Sequence, residues 1–109
     1  MSMNPAKVVS TIKSCGIECA HLAFPEGSAP PLPWAVYYLD YTDNFHADNS
    51  TWDRKPYWIV ELYEKTKNVD LELSIAQAIE DAFVSPPSME ETWIESENCR
   101  MTTYRFTEI

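Results

Sequence analysis

Hydrophobic and polar positions alternate most clearly in the middle of the chain, in two aromatic-rich runs separated by a polar connector. A period-two reading of Trp34 to Tyr41 puts Ala35, Tyr37, Leu39 and Tyr41 on one face and Trp34, Val36 and Tyr38 on the other. Both faces begin apolar, which predicts a central strand. The partner run from Tyr57 to Glu64 puts Trp58, Val60 and Leu62 on one side and Tyr57, Ile59, Glu61 and Tyr63 on the other, so one side is buried and the other fades toward solvent. Between them, Thr42 to Asp53 contains Asp43, Asn44, Asp48, Asn49, Ser50 and Asp53. Such side chains bond their own backbone and favour turns, so the expectation is a hairpin with a long, structured tip.

The flanking segments read as helix, loop, helix and hairpin. Asn4 before Pro5 is a capping side chain followed by a proline at the first helical position, where its missing N–H is no loss. Val8, Ile12 and Cys15 form a stripe and Gly16 offers a left-handed stop, which predicts a first helix over Pro5 to Cys15. A short extended piece over Ile17 to Phe24 leads into Pro25 to Pro33, where prolines remove donors and leave a loop. Asn68 or Asp70 caps a second helix in which Leu71, Ile75, Ala78, Ile79 and Ala82 face inward while Glu72, Gln77, Glu80 and Asp81 point away. That helix must end before Pro86 and Pro87. Alternation returns from Met89, turns at Ser96 to Asn98, and resumes over Cys99 to Thr107. The fold class expected is α+β: a mainly antiparallel four-stranded sheet with both helices on one face and a long central hairpin. The other face keeps several aromatics, and exposed apolar patches mark contact sites.

Composition sharpens this picture. With 109 residues, residues 1–109 form a single domain with one core, and 45% hydrophobic content argues against disorder. Seventeen acidic against eight basic residues give a net charge of -9, which repels phosphate backbones and argues against direct nucleic-acid binding. The basic pairs Arg54 with Lys55 and Lys65 with Lys67 read as solvated strand ends. No apolar run reaches the roughly 20 residues that span a bilayer, and the start lacks a basic-then-hydrophobic leader, so a soluble chain made in the cytosol with reduced thiols is expected.

Candidate chemistry is sparse. Cys15, Cys19, His21 and Cys99 are zinc-type ligands, but no C-x-x-C pair exists and Cys15 belongs to a helix stripe. The acidic tip lacks oxygen donors at Phe45 and Ala47 and a turn glycine, so it does not read as a calcium loop. His21 and His46 are the only candidate bases and no nucleophile elbow is present. Glu90, Glu91, Glu95 and Glu97 offer paired carboxylates that a wet strand face explains. With two glycines there is no phosphate-cradling loop. The expectation is no enzymatic activity, no cofactor and no metal.

Certain residues carry a family likeness across nearly all of the chain. They are the short first helix ending in Gly16 and Ile17, then Phe24-Pro25-Glu26-Gly27, Pro31 and Pro33 leading to Val36-Tyr37-Tyr38, and Asp43-Asn44-Phe45 with Ala47-Asp48-Asn49. Tyr57 with Glu61-Leu62-Tyr63, Glu95-Ser96-Glu97, and Tyr104 with Phe106 follow. In these the chain resembles small tail-completion or tail-terminator (head-tail joining) proteins of long-tailed phages and prophages of Gram-positive bacteria. The D-N-F-x-A-D-N stretch is the most specific match; Trp34, Trp52 and Trp58 are heavier than the pattern.

The resemblance implies a homo-oligomer, usually a hexameric ring, at the head-proximal end of the tail. There it would stop tail-tube polymerisation and join tail to head, with the tail-tube and head-tail connector proteins as partners. It implies a location in the virion tail, with host cytoplasm during assembly. Phe45, His46, Asp48, Asn49 and Trp52 are the expected interface residues. The rival expectation is a small bacterial ligand-binding or regulatory domain using the aromatic face, and a weaker one a small hydrolase using His46.

Overall fold

The computed structural model describes residues 4–47 and 50–107, with only the backbone described over residues 42–47 and 50–55. The elements in order are α1 (Pro5–Lys13), β1 (Glu18–His21), β2 (Trp34–Ala47), β3 (Ser50–Glu64), α2 (Val69–Phe83), β4 (Ser88–Ile94) and β5 (Cys99–Thr107), with a single 3-10 turn over Glu95–Glu97. They form an α+β unit in which one five-stranded sheet has the order β1-β2-β3-β5-β4.

The sheet is mainly antiparallel, as expected, but it has five strands where four were expected. Glu18 to His21 pair in parallel with Trp34 to Tyr37, so the short piece before the proline loop becomes a fifth, edge strand. Parallel neighbours need a crossover of about a dozen residues, and the proline-rich stretch from 22 to 33 supplies it. The remaining neighbours, β2 with β3, β3 with β5 and β4 with β5, are antiparallel.

Helix α1 starts as its sequence dictates, with the Asn4 side chain accepting from the Lys7 N–H. Its last turn tightens: Cys15 N–H donates to Ile12 and Gly16 N–H to Lys13, and the chain leaves at Gly16 with φ 89°. The regular helix therefore stops at Lys13, short of Cys15. Of the two candidate caps for α2, Asn68 takes the role, its Oδ1 accepting from the Leu71 N–H at 3.1 Å.

One core lies between the helices and one face of the sheet. Val8 and Ile12 from α1 and Ile75, Ile79 and Phe83 from α2 meet Ala35, Tyr37, Trp58, Val60, Leu62, Tyr104 and Phe106. The predicted faces hold from Trp34 through Leu39. They fail at Tyr41, because the register skips a residue between Leu39 and Tyr41. The bulge at Asp40 turns Tyr41 onto the Tyr57 face, where the two rings stack at 4.4 Å. Glu72 is also corrected: it is 6% exposed and does not point away. Buried Tyr104 donates its hydroxyl to the Glu72 carbonyl at 2.7 Å, tying β5 to α2.

The predicted turn-rich tip is instead a continued ladder. Thr42 pairs with Pro56, Asn44 with Arg54 and Ala47 with Ser50. Among the described residues β5 reaches β3 only from Tyr57, so β2 and β3 run on as a two-stranded arm, and the molecule measures 51 × 29 × 23 Å.

Helix α2 ends on Val84, a β-branched residue at φ 56° that is 72% exposed. A left-handed L-residue costs roughly 1–2 kcal/mol, and placing Gly there costs about 0.5–1 kcal/mol of backbone entropy. Val84→Gly is expected to stabilise the fold by about 0.5–1 kcal/mol in a urea unfolding titration.

Candidate interaction surface

The sheet face opposite the helices is the most distinctive surface among the described residues. Its aromatic side chains come from β2 and β3 and form a ladder. Trp34 packs on Tyr63 with ring centroids 4.8 Å apart, Phe24 from the crossover meets Trp34 edge-on at 5.0 Å, and Tyr41 stacks on Tyr57. Cross-strand pairing causes this: Trp34 lies opposite Tyr63, and Tyr41 opposite Tyr57. The rings are half-buried, with Tyr41 51% exposed.

Glu61 is the charged group set into this ladder. Tyr38 donates to its Oε2 at 2.8 Å and Tyr63 to its Oε1 at 2.9 Å, so both oxygens are held by phenols from two strands. Burial, and then the Glu61 hydrogen bond and charge, push the Tyr38 hydroxyl up to about 12; the same causes raise Tyr63. The face is thus aromatic with hydroxyls turned toward one carboxylate, a composition suited to a contact surface with an apolar body and polar handles.

Two shallow clefts flank the Trp34–Tyr63 pair. One, of about 210 Å³, is bounded by Leu22, Phe24, Ala29 and Val36; the other, of about 320 Å³, by Leu32, Glu97 and Cys99. Leu22 adds a strained feature, since it sits at φ 65° with its side chain 61% exposed.

The sequence-predicted interface residues fall on the arm. His46 pairs with Thr51, and the register between Asn44 and His46 is irregular, so Phe45 sits opposite the irregular stretch that contains Trp52. Such irregularities bend and twist a ribbon. Asp48 and Asn49 lie outside the described residues, as do the side chains of Phe45, His46 and Trp52. The arm backbone therefore brings Phe45, His46 and Trp52 together near one end of the hairpin, away from the Trp34–Tyr63 end of the ladder. The open-face residues Trp34, Tyr38, Glu61 and Tyr63 were not singled out as a site, although their alternation marked the face.

The candidate zinc ligands are dispersed. Cys19 is on β1 and Cys99 opens β5, with β2 and β3 between them in the sheet. Burial pushes the Cys19 thiol up to about 11 and raises those of Cys15 and Cys99. His21 packs on Tyr37 at 5.1 Å. Among the described residues no three His, Cys, Asp or Glu side chains are grouped to hold a metal ion, and no helix is long and apolar enough to cross a membrane.

No protein-family model matches the chain, and no curated protein matches it. Among the solved structures that resemble it is a chain of the virion of a native gene transfer agent particle, at 10% identity and a TM-score of 0.63. The match covers 94% of this chain and 90% of that one. The two share a fold.

Replacing Glu61 tests the electrostatic part of the surface. In Glu61→Gln the phenol of Tyr38 is expected to ionise at a lower pH than the wild-type value of about 12, yet above the ordinary value near 10, because burial remains. NMR titration of the tyrosine Cζ carbons reads this directly; an unmoved Tyr38 would show that the carboxylate does not govern it.

Proposed function

We propose that this chain is a structural protein of a phage-like virion, acting as a ring at the head-proximal end of the tail where it terminates the tail tube and joins tail to head. The observation that carries this reading is the aromatic open face, joined to a projecting two-stranded arm, on a fold shared with a virion chain. The sequence resemblance to tail-completion proteins supplies the finer role, and with it the hexameric ring, the tail-tube and connector partners, assembly in the host cytoplasm and the absence of catalysis.

The physical mechanism is head-to-tail association. One copy presents its open sheet face, and the arm of the next reaches across it, with Phe45, His46, Asp48, Asn49 and Trp52 at the contact. A heterologous contact of this kind closes into a ring when the rotation between copies closes. Rings of Trp and Tyr give such contacts large buried area at small entropic cost. The net charge of -9 keeps a lumen of such subunits from retaining passing DNA.

A second reading has one observation in its favour. The clefts beside Trp34 and Tyr63 are concave and largely apolar, as small-molecule sites are, so a ligand-binding or regulatory domain is the alternative.

Sedimentation and negative-stain imaging of the purified chain, alone and with its tail-tube protein, separate the two. The expected result is concentration-dependent growth to a closed ring that Trp34→Glu weakens by at least about tenfold, since it buries a charge in the contact. A species that stays small under both conditions and binds a metabolite would favour the alternative.

A further inference from the structure

A buried carboxyl pair lies at the other end of the core from the arm. Glu64 closes β3 on the helix-covered face and is 1% exposed; Glu72, in the first turn of α2, is 6% exposed. Each carboxyl lies close enough to the other to shift its titration. Glu64 Oε2 accepts from the Asn68 N–H at 3.2 Å, one of the free donors at the start of α2, while its buried Oε1 has no donor among the described residues. Two buried carboxylates so close repel each other when both are charged. A proton on Glu64 supplies the missing donor and leaves one negative charge for Lys67.

Lys67 extends the cluster outward. Its Nζ reaches Glu72 at 2.9 Å and Glu91 of β4 at 2.6 Å. This corrects the expectation that Lys67 is merely solvated, since it bridges α2 to the edge strand. From β5, Arg100 lies opposite Glu64 in the register and its charge lowers Glu72, while the Tyr104 hydroxyl holds the Glu72 carbonyl. Cys15, beyond α1, acts on Tyr104.

We propose that Glu64 and Glu72 share one proton in mildly acid solution, and that this proton latches the start of α2 to the end of β3 and, through Lys67, to β4. Burial and then the neighbouring Glu72 carboxyl raise Glu64 to about 7. Burial acts upward on Glu72 too, but the neighbouring Glu64 and Lys67 outweigh it and its carboxyl is lowered. A raised carboxyl contributes its stability below its unfolded value near 4.5 and loses it as pH climbs to about 7. A lowered one loses its contribution as pH falls through its folded value. The latch is therefore tightest in the ordinary carboxyl range, and it slackens toward neutrality.

Carboxyl-carbon NMR titration of the full chain, with amide exchange corrected for its intrinsic pH dependence, tests this. The wild type is expected to show one Glu carboxyl titrating near neutrality. Protection of the amides from Asn68 to Glu72 and along β4 should fall by up to about tenfold per pH unit between roughly pH 5 and 7. In Glu64→Gln, which keeps the shape and a donor, both the near-neutral titration and that slope should vanish. In Lys67→Met the titration should persist while β4 no longer follows it. Completion of every wild-type carboxyl titration below about pH 5.5 would overturn the proposal. So would a slope that survives in Glu64→Gln.

Discussion

Two helices can cover one face of a sheet, and this sheet carries large aromatic side chains on both. Trp58, Tyr104 and Phe106 lie under α1 and α2 in the core, whereas Trp34, Tyr38, Tyr57 and Tyr63 lie on the reverse. Nothing in the order of the elements supplies a second layer there: the crossover after β1 shields Val36 with Phe24 and its neighbours, and leaves the rings beyond it half-covered. The architecture follows from that asymmetry. A core of sufficient depth is built on one side, and the other is left as a surface whose apolar area gains from further burial.

The β2–β3 ladder makes both halves possible. It is long enough to serve as the middle of the sheet, with β1 and β5 on either side, and then to continue as an arm past the point where β5 ends. Bulges adjust it at two places. The first, at Asp40, rotates Tyr41 to the open face so that the aromatic ladder extends toward the arm; the second lies within the arm. A strictly regular ladder would have kept Tyr41 on the helix side.

Much of this was legible because burial imposes period. The faces of Trp34 to Leu39 and of Tyr57 to Tyr63, the Asn4 cap and the stripe of α2 all follow from residues that must alternate to be covered. What escaped had no periodic signature. A bulge is one extra residue, and β1 is four residues whose pairing partner lies beyond a proline loop. Glu64 continues the buried series Trp58, Val60 and Leu62 two residues on, so its place on the covered face follows from the same alternation. Phe45, His46 and Trp52 follow from a family likeness, and their backbone lies on a protruding arm. Fold alone does not choose between virion part and binding domain, which is why the open face carries the functional weight.

Radical footprinting of Trp34, Tyr38 and Tyr63, compared between the isolated chain and phage-like particles purified from cells that make it, bears most directly on the open face as an assembly surface. The account predicts strong oxidation of these rings in isolation and several-fold protection inside the particle, with the exposed Val69 and Leu73 side of α2 changing less. Equal labelling of the three rings in both states, or particles from which the chain is absent, would contradict it.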